Sequence, residues 1–451
     1  MSILLLGTYE LGRQPFGLAS PAAWLRDRGH RVRCLDLSRQ SMEEDALREA
    51  QLIVFYLPMH TATRLALEWA KAIRVQNPAA HLCAAGLYAP LNEALLRRAG
   101  FAFVLGAEFE GQLCELAEAL FSGREFRAAT NGKDPIPRLR FSTPDRTDLP
   151  ALRHYAHVVL PDGSHRTAGY TEASRGCKHT CRHCPVVPVY SGQFRVVPRE
   201  VVLADIRQQV AAGAEHITFG DPDFFNGVTH AVRIVEALHA EFPRITYDAT
   251  IKIEHLLRHT AHLVTLARTG CLLVTTAVES LDDEVLRKLA KGHTRADFFR
   301  ALDLSERAGL AMQPTFIPFT PWTTRESYSD LLRVIADRDL IGSVPSVQLT
   351  IRLLIPSGSR LLELPDIAEI VSDFDAEGLV YRWQHAEPEL DLLAARASET
   401  VVEGDKNQLS RSEIFQKIWR VASELQPRVY VSTAVTVSKR GVPFLSEPWY
   451  C

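Results

Sequence analysis

The sequence predicts an α/β protein built from two parallel-sheet domains and a helical C-terminal extension. Three observations carry that expectation. Residues 1–122 alternate β-like runs with amphipathic helical stretches, the alternation resumes near residue 166, and the second series opens on three closely spaced cysteines. A chain of 451 residues is too long for one ordinary core. Its 46% apolar and 23% charged residues suit a soluble globular protein. A net charge of −3, with Lys and Arg dispersed, gives no electrostatic footprint for nucleic acid or a membrane surface.

Within residues 1–122, Ile3–Gly7, Val32–Leu37, Leu52–Leu57, His81–Gly86 and Ala102–Gly106 read as strands. Thr61–Val75 and Leu91–Ala99 carry apolar residues at helical spacing between them. Such alternation implies a doubly wound sheet, with any ligand outside the carboxyl ends of the strands. Residues 123–165 are rich in Pro, Arg, Thr and Asp and read as a linker with turns.

Residues 166–355 form the second series. Thr167–Ala173 is a strand feeding the cysteine loop, and Pro198–Ala212 is a helix with Pro where a missing N–H costs least. His216–Gly220, Thr246–Lys252, Leu272–Glu279, Gln313–Phe319 and Val347–Leu353 supply five more strands. Six βα units imply a partial (β/α)6 barrel, whose chemistry gathers at the C-terminal strand ends. Residues 356–451 read as a helical extension, with helices over Glu389–Thr400 and Glu413–Glu424.

The cysteine loop is Ser174-Arg-Gly-Cys-Lys-His-Thr-Cys-Arg-His-Cys-Pro185, so Cys177, Cys181 and Cys184 stand as Cys-x3-Cys-x2-Cys. Three thiolates on one loop can each hold one iron of a cubane cluster and leave the fourth iron open to a substrate. Ferredoxin spacings recruit four cysteines. The other reading is a structural zinc site completed by His179 or His183, and no second Cys/His knuckle accompanies it. Cys34, Cys83, Cys114 and Cys271 sit in apolar surroundings and read as reduced buried thiols. With no basic leader at Met1-Ser-Ile-Leu-Leu-Leu-Gly7 and no apolar stretch of spanning length, the expected location is cytoplasmic, with no membrane role.

The triplet and the strands after it resemble the radical S-adenosylmethionine (SAM) superfamily. The resemblance implies a [4Fe–4S] cluster on Cys177, Cys181 and Cys184, whose open iron is chelated by SAM. It further implies reduction by a flavodoxin or ferredoxin, cleavage of SAM, and radical chemistry on a small-molecule substrate. His183, before the third cysteine, takes the aromatic place beside the adenine. Phe219-Gly-Asp-Pro-Asp-Phe224 stands where the family often has Gly-Gly-Glu, which assigns Gly220 and Asp221, with Asp223 in reserve, to the SAM amino group. An Asx/Pro turn capping a helix explains the same residues. Lys252 is a candidate for the SAM carboxylate or a substrate anion, or else a solvated strand-end lysine, and Glu279 for the ribose hydroxyls or a helix cap. Arg352 requires an anion, from substrate or from a structural acid. His293, after Gly292, either faces the cavity or, as the favoured reading, is an exposed helix-end residue.

The first domain, joined to such a core, is similar to flavodoxin-like cobalamin-binding domains. The Asp-x-His-x-x-Gly signature that ligates cobalt is replaced by Thr8-Tyr-Glu-Leu-Gly12, so cobalamin without a protein ligand and a retained fold without cofactor both stay open. The end, Glu447-Pro-Trp-Tyr-Cys451, resembles radical SAM proteins with Cys-Cys-Ala-Glu-Pro or Cys-selenocysteine-Ala-Glu-Pro tails. Either the reading frame stops at a codon meant for selenocysteine, or Cys451 is an ordinary terminal thiol. A tail thiol suits binding of a soft atom. If cobalamin binds, the resemblance implies methyl transfer to an unactivated carbon; if it does not, hydrogen abstraction or transfer to sulfur, selenium or arsenic stays open. The rival classes are a non-enzymatic iron–sulfur or zinc protein and an RNA-modifying radical SAM enzyme, the latter disfavoured by the even charge.

Overall fold

The computed structural model describes residues 1–126, 139–424 and 441–447. Its N-terminal part runs β1 (Ser2–Gly7), α1 (Phe16–Arg26), β2 (Arg31–Asp36), α2 (Glu44–Glu49), β3 (Leu52–Tyr56), α3 (His60–Gln76), β4 (His81–Ala85), α4 (Tyr88–Leu91), α5 (Glu93–Arg98), β5 (Phe103–Leu105) and α6 (Glu110–Ser122). The five strands are parallel in the order β2-β1-β3-β4-β5. That order reverses between β1 and β3, the doubly wound arrangement with a crevice at its carboxyl edge. Strands such as Ile3-Leu-Leu-Leu6 are continuously apolar because helices cover both faces. Predicted and observed strands agree to within a residue or so at each end.

The expected linker is more than a linker. Arg146 makes two hydrogen bonds to Asp205, at 2.8 and 2.9 Å, and also reaches Gln14 and the carbonyl of Tyr170. A short strand, β6 (His157–Val159), pairs antiparallel with the first barrel strand. Val158 is fully buried and packs with Ala168 and Leu445, which anchors the edge.

The barrel part continues with β7 (His165–Thr171), β8 (Ser174–Gly176), α7 (Val186–Tyr190), β9 (Phe194–Val196), α8 (Arg199–Ala211), β10 (His216–Phe219), α9 (Val228–Glu241), β11 (Thr246–Thr250), α10 (Ile253–Arg258), α11 (Leu263–Arg268), β12 (Cys271–Glu279), α12 (Asp283–Lys288), α13 (Arg295–Arg307), β13 (Ala311–Phe316) and α14 (Arg325–Asp337). Five strands are parallel, β7-β10-β11-β12-β13, with β6 and then the C-terminal β16 (Phe444–Leu445) added on the β7 side. The sixth strand expected over Val347–Leu353 is corrected. Ser346–Leu349 is a 3-10 turn after Pro345, followed by a single parallel bridge between Phe319 and Arg352. The Gln348 side chain accepts the Phe316 N–H at 3.0 Å, taking the bond that a sixth strand would have made.

The extension is helical only in part. Before its two helices, α16 (Pro388–Lys406) and α17 (Arg411–Glu424), come α15 (Pro365–Ala368) and an antiparallel hairpin of β14 (Val371–Asp375) and β15 (Val380–Trp383). Phe374, Tyr381 and Trp383 around the Gly378 turn are the β-favouring signal for it. Among the described residues, no helix is long and apolar enough to cross a membrane.

Candidate functional site: the cysteine loop at the barrel mouth

The loop leaves the carboxyl end of β7, where barrel chemistry gathers. β8 and β9 pair antiparallel and bracket it as a hairpin. At its entrance Gly176 has φ +73°, and a Cβ there would lie 2.3 Å from the Tyr190 ring and 2.5 Å from the Gln193 carbonyl, so only glycine fits. The Lys178 N–H donates to Asn226 Oδ1 at 3.3 Å, Cys184 N–H to the Cys181 carbonyl at 3.2 Å, and Arg182 N–H to the Leu289 carbonyl at 2.9 Å. The first ties the loop to the segment after β10 and the last to the end of α12, while the second closes a turn within the loop.

Cys177, Cys181 and Cys184 are free thiols. Burial raises Cys177 and pushes Cys184 up to about 12, so both hold their protons until a metal displaces them. Among the described residues, the trio of His, Cys, Asp or Glu ligand atoms gathered within 4.8 Å is His179, Asp223 and His255, not the three sulfurs.

On one side of the loop stands Glu279, the last residue of β12. It has φ +70°, a strained value for a non-glycine, next to a register shift between Ala277 and Glu279. Its Oε1 meets His183 Nε2 at 3.1 Å and Lys291 Nζ at 3.2 Å. Burial alone would raise this carboxyl, but Lys291 and then His183 outweigh it and hold it down to about 2. Burial would likewise depress Lys291, yet Glu279 and the sulfurs of Cys181 and Cys184 keep its ammonium favoured. Lys291 was missed in the sequence. Ala290 and Gly292, both at positive φ, turn the chain so that a lysine in an apparent helix exit points inward.

His293 corrects an expectation, being 6% exposed rather than a solvent-facing cap. Burial, helped by Lys291 and Lys252, lowers it to about 4.

On the other side, the residues after β10 divide their work. Asp221 faces back to the loop, accepting from the Ala173 N–H at 2.9 Å and from the Ser174 hydroxyl. Burial pushes its carboxyl up to about 7 against those bonds. It pins the start of the cysteine loop in this structure. A Cβ on Gly220 would fall 1.8 Å from the Tyr170 hydroxyl oxygen, so this glycine is required by packing. Asp223 caps the turn at Phe225 and lies against His179 and His255. Lys252 is 9% exposed with Nζ 3.7 Å from Glu254 Oε2. Arg352 has a structural partner: it pairs with Asp391, donates to the Trp383 carbonyl, and stacks 3.7 Å over the Trp383 ring. Cys451 lies outside the described residues.

The sequence profile of the radical SAM superfamily matches residues 171–333, from the end of β7 into α14. This stretch is a radical SAM domain. Over 322 residues the chain is 24% identical to the hopanoid C-3 methylase of Methylococcus capsulatus, covering 68% of this chain and 62% of the methylase. It thus spans less than two thirds of that relative's length. Two solved structures share the architecture. The cobalamin-dependent radical SAM enzyme OxsB, with aqua-cobalamin and SAM bound, gives a TM-score of 0.71 at 14% identity, covering 93% of this chain and 70% of that one. The radical SAM methyltransferase TsrM of Kitasatospora setae, with tryptophan and a SAM analogue bound, gives 0.62 at 19%, covering 81% and 76%. At those identities the likeness establishes fold. In the radical SAM domain of this chain the cysteine loop stands between two buried polar clusters, one centred on Glu279 and one on Asp223.

Proposed function

We propose that the chain is a radical SAM enzyme that cleaves SAM reductively at a [4Fe–4S] cluster on Cys177, Cys181 and Cys184 and, with cobalamin, methylates a small molecule. The observation that supports it most is the Cys-x3-Cys-x2-Cys loop seated at the carboxyl end of β7 within the matched domain. Bound there, the cluster would supply an electron to the sulfonium, and a corrinoid would supply a methyl carrier. The chain's own residues have narrower tasks. Lys291, buried beside Cys181 and Cys184, offsets the charge of the thiolates. His183 offers its ring edge to the adenine while Glu279 Oε1 holds it. Both contacts to Glu279 use Oε1, which leaves Oε2 to accept from a ribose hydroxyl. Asp221 keeps the loop in register with β7, and Lys252, whose backbone N–H is held by Asp223 Oδ1, is assigned to the SAM carboxylate.

Cobalamin fits the chemistry of the first sheet's carboxyl edge in one respect. Oε2 of Glu10 is shielded from solvent there without a hydrogen-bond partner, and Oε2 of Glu108 has only the Arg175 guanidinium, 3.6 Å away. Acceptors of this kind suit the amide groups around a corrin. Thr8–Gly12 presents no histidine to a corrinoid. The electron donor in this reading is a flavodoxin or ferredoxin. The tail belongs to the proposal as well: Glu447 ion-pairs with Arg39 at the first domain, four residues before Cys451, a thiol for the substrate side.

The test is anaerobic preparation in the presence of hydroxocobalamin, with iron, sulfide and corrinoid analysis and chromatography of SAM products. About four iron and four sulfide per chain, with 5′-deoxyadenosine or another SAM fragment under strong reductant, is the expected result. A colourless protein carrying one zinc ends the proposal. Corrinoid-free protein that still cleaves SAM removes the methyl carrier and leaves the radical chemistry. Cys451→Ser is expected to lower product formation at least tenfold with SAM cleavage intact.

A further inference from the structure

The geometry points to a second metal centre beside the cysteine loop, in which His179, Asp223 and His255 hold one divalent first-row transition-metal ion. The three residues come from separate segments: the cysteine loop, the turn after β10, and the start of α10 after β11. One ligand atom from each lies within 4.8 Å of the others.

The hydrogen-bond pattern sorts each group's atoms into held and free. Asp223 Oδ1 accepts from the Phe225 N–H at 3.2 Å and from the Lys252 N–H at 3.4 Å, which fixes the carboxylate. Its Oδ2 is buried and accepts no aligned hydrogen bond, although His255 Nδ1 is 2.6 Å away and His179 Nε2 3.4 Å away. His255 is fully buried, and neither of its ring nitrogens has an aligned partner; nor has His179 Nε2. Asp223 Oδ2 thus draws both imidazoles toward one buried point, while His255 Nε2 is left there with no partner, a costly state in a native interior. A shared cation satisfies one atom of each residue at once. The imidazole rings are tilted by 56° to one another at a centroid separation of 4.8 Å.

A supporting carboxylate is also present. Glu254 Oε2 lies 3.7 Å from His179 Nδ1, on the far side of the ring from Asp223. Carboxylates in that place orient a metal-bound histidine and raise its basicity. Two imidazole nitrogens and one carboxylate oxygen select Fe2+, Co2+ or Zn2+ over Mg2+ and Ca2+, which prefer all-oxygen sites. With three protein ligands the ion keeps a position for water or for an anionic oxygen of a substrate. It would also tie the loop segment between Cys177 and Cys181 to β10 and β11. The site is separate from the three thiols and stands or falls without the SAM chemistry.

Zinc is the probe. Full-length protein with its iron–sulfur cluster reconstituted is equilibrated with zinc sulfate, desalted, and measured for metal content and zinc K-edge absorption. The expected result is about one zinc per chain with a nitrogen/oxygen shell near ~2.0–2.1 Å and no sulfur shell near ~2.3 Å. Asp223→Asn and His255→Gln are expected to cut bound zinc at least tenfold at unchanged iron content. Zinc below about a tenth of an equivalent in the unaltered protein, a sulfur shell, or full retention in both variants would overturn the site. The absorption measurement on the unaltered chain decides the matter even where a variant folds poorly.

Discussion

The two parallel sheets share their connectivity but not their patterning. In the first sheet, neighbouring residues of one strand serve two cores: Ile3 and Leu5 belong to one cluster, Leu4 and Leu6 to another. Val54 against Phe55 and Cys83 against Ala84 divide in the same way. In the barrel sheet only one face is apolar. Ile217, Phe219, Tyr247 and Ala249 join the large core, while the alternate positions are His216, Thr218, Thr246 and Asp248. These four satisfy one another: His216 meets Asp248 at 2.8 Å and Thr246 at 2.9 Å, and Thr218 donates to Asp248 at 2.6 Å. A continuous run marks a sheet that binds only at its edge. An alternating run marks one with a polar interior, and here that interior lies beneath the cysteine loop.

The sharpest break between the two halves is functional. Cys184→Ala is expected to reduce SAM cleavage to background and to lower iron content, while the thermal unfolding of the first domain is unchanged. Iron analysis, product chromatography and calorimetry check it. Next come two substitutions of similar cost but different origin. Phe55→Ala is expected to cost about 3–5 kcal/mol through a cavity in the first sheet. His216→Leu is expected to cost about 3–5 kcal/mol by leaving the buried Asp248 with only the Thr218 hydroxyl. Replacing Asp248 by Asn in the His216→Leu background is expected to recover part of the second loss only, read from denaturant midpoints.

A smaller effect depends on pH. The Asp221 carboxyl is raised to about 7 in the folded protein from 3.8. A raised carboxyl favours the folded state while it is protonated, so that contribution is complete below about pH 4 and lost as pH rises through 7. Its size is on the order of a few kcal/mol, from the free-energy equivalent of a pKa difference. Asp221→Asn is expected to flatten the fall in stability between pH 4 and 7, measured on cluster-free protein. Smallest of all, Arg352→Ala is expected to cost about 1 kcal/mol, since its ion pair with Asp391 is partly exposed. The KM for SAM is expected to stay the same.

Some of the site could be read along the chain because its chemistry is local. Cys177, Cys181 and Cys184 share one loop, and their spacing alone proposes a cluster. The strands before and after were equally legible, since hydrophobic period is a short-range property. Lys291 and His255 were not, because nothing within their own windows separates them from a helix-exit lysine and a helix-start histidine. Asp221 and Asp223 show the limit most clearly. Two residues apart in one motif, they face different partners, Ala173 and Ser174 for the first and His179 and His255 for the second.

By itself, the sequence determined the two α/β series, the cysteine triplet and its place after the first barrel strand. Each of these rests on periodicity or spacing within about twenty residues. Tertiary packing alone decided the rest. It replaced the sixth strand with a Gln348 side chain, paired Arg352 with Asp391, and turned Lys291 and His255 inward. Which carboxylate meets which cation depends on residues far apart in the chain, and burial then sets the strength of the pairing.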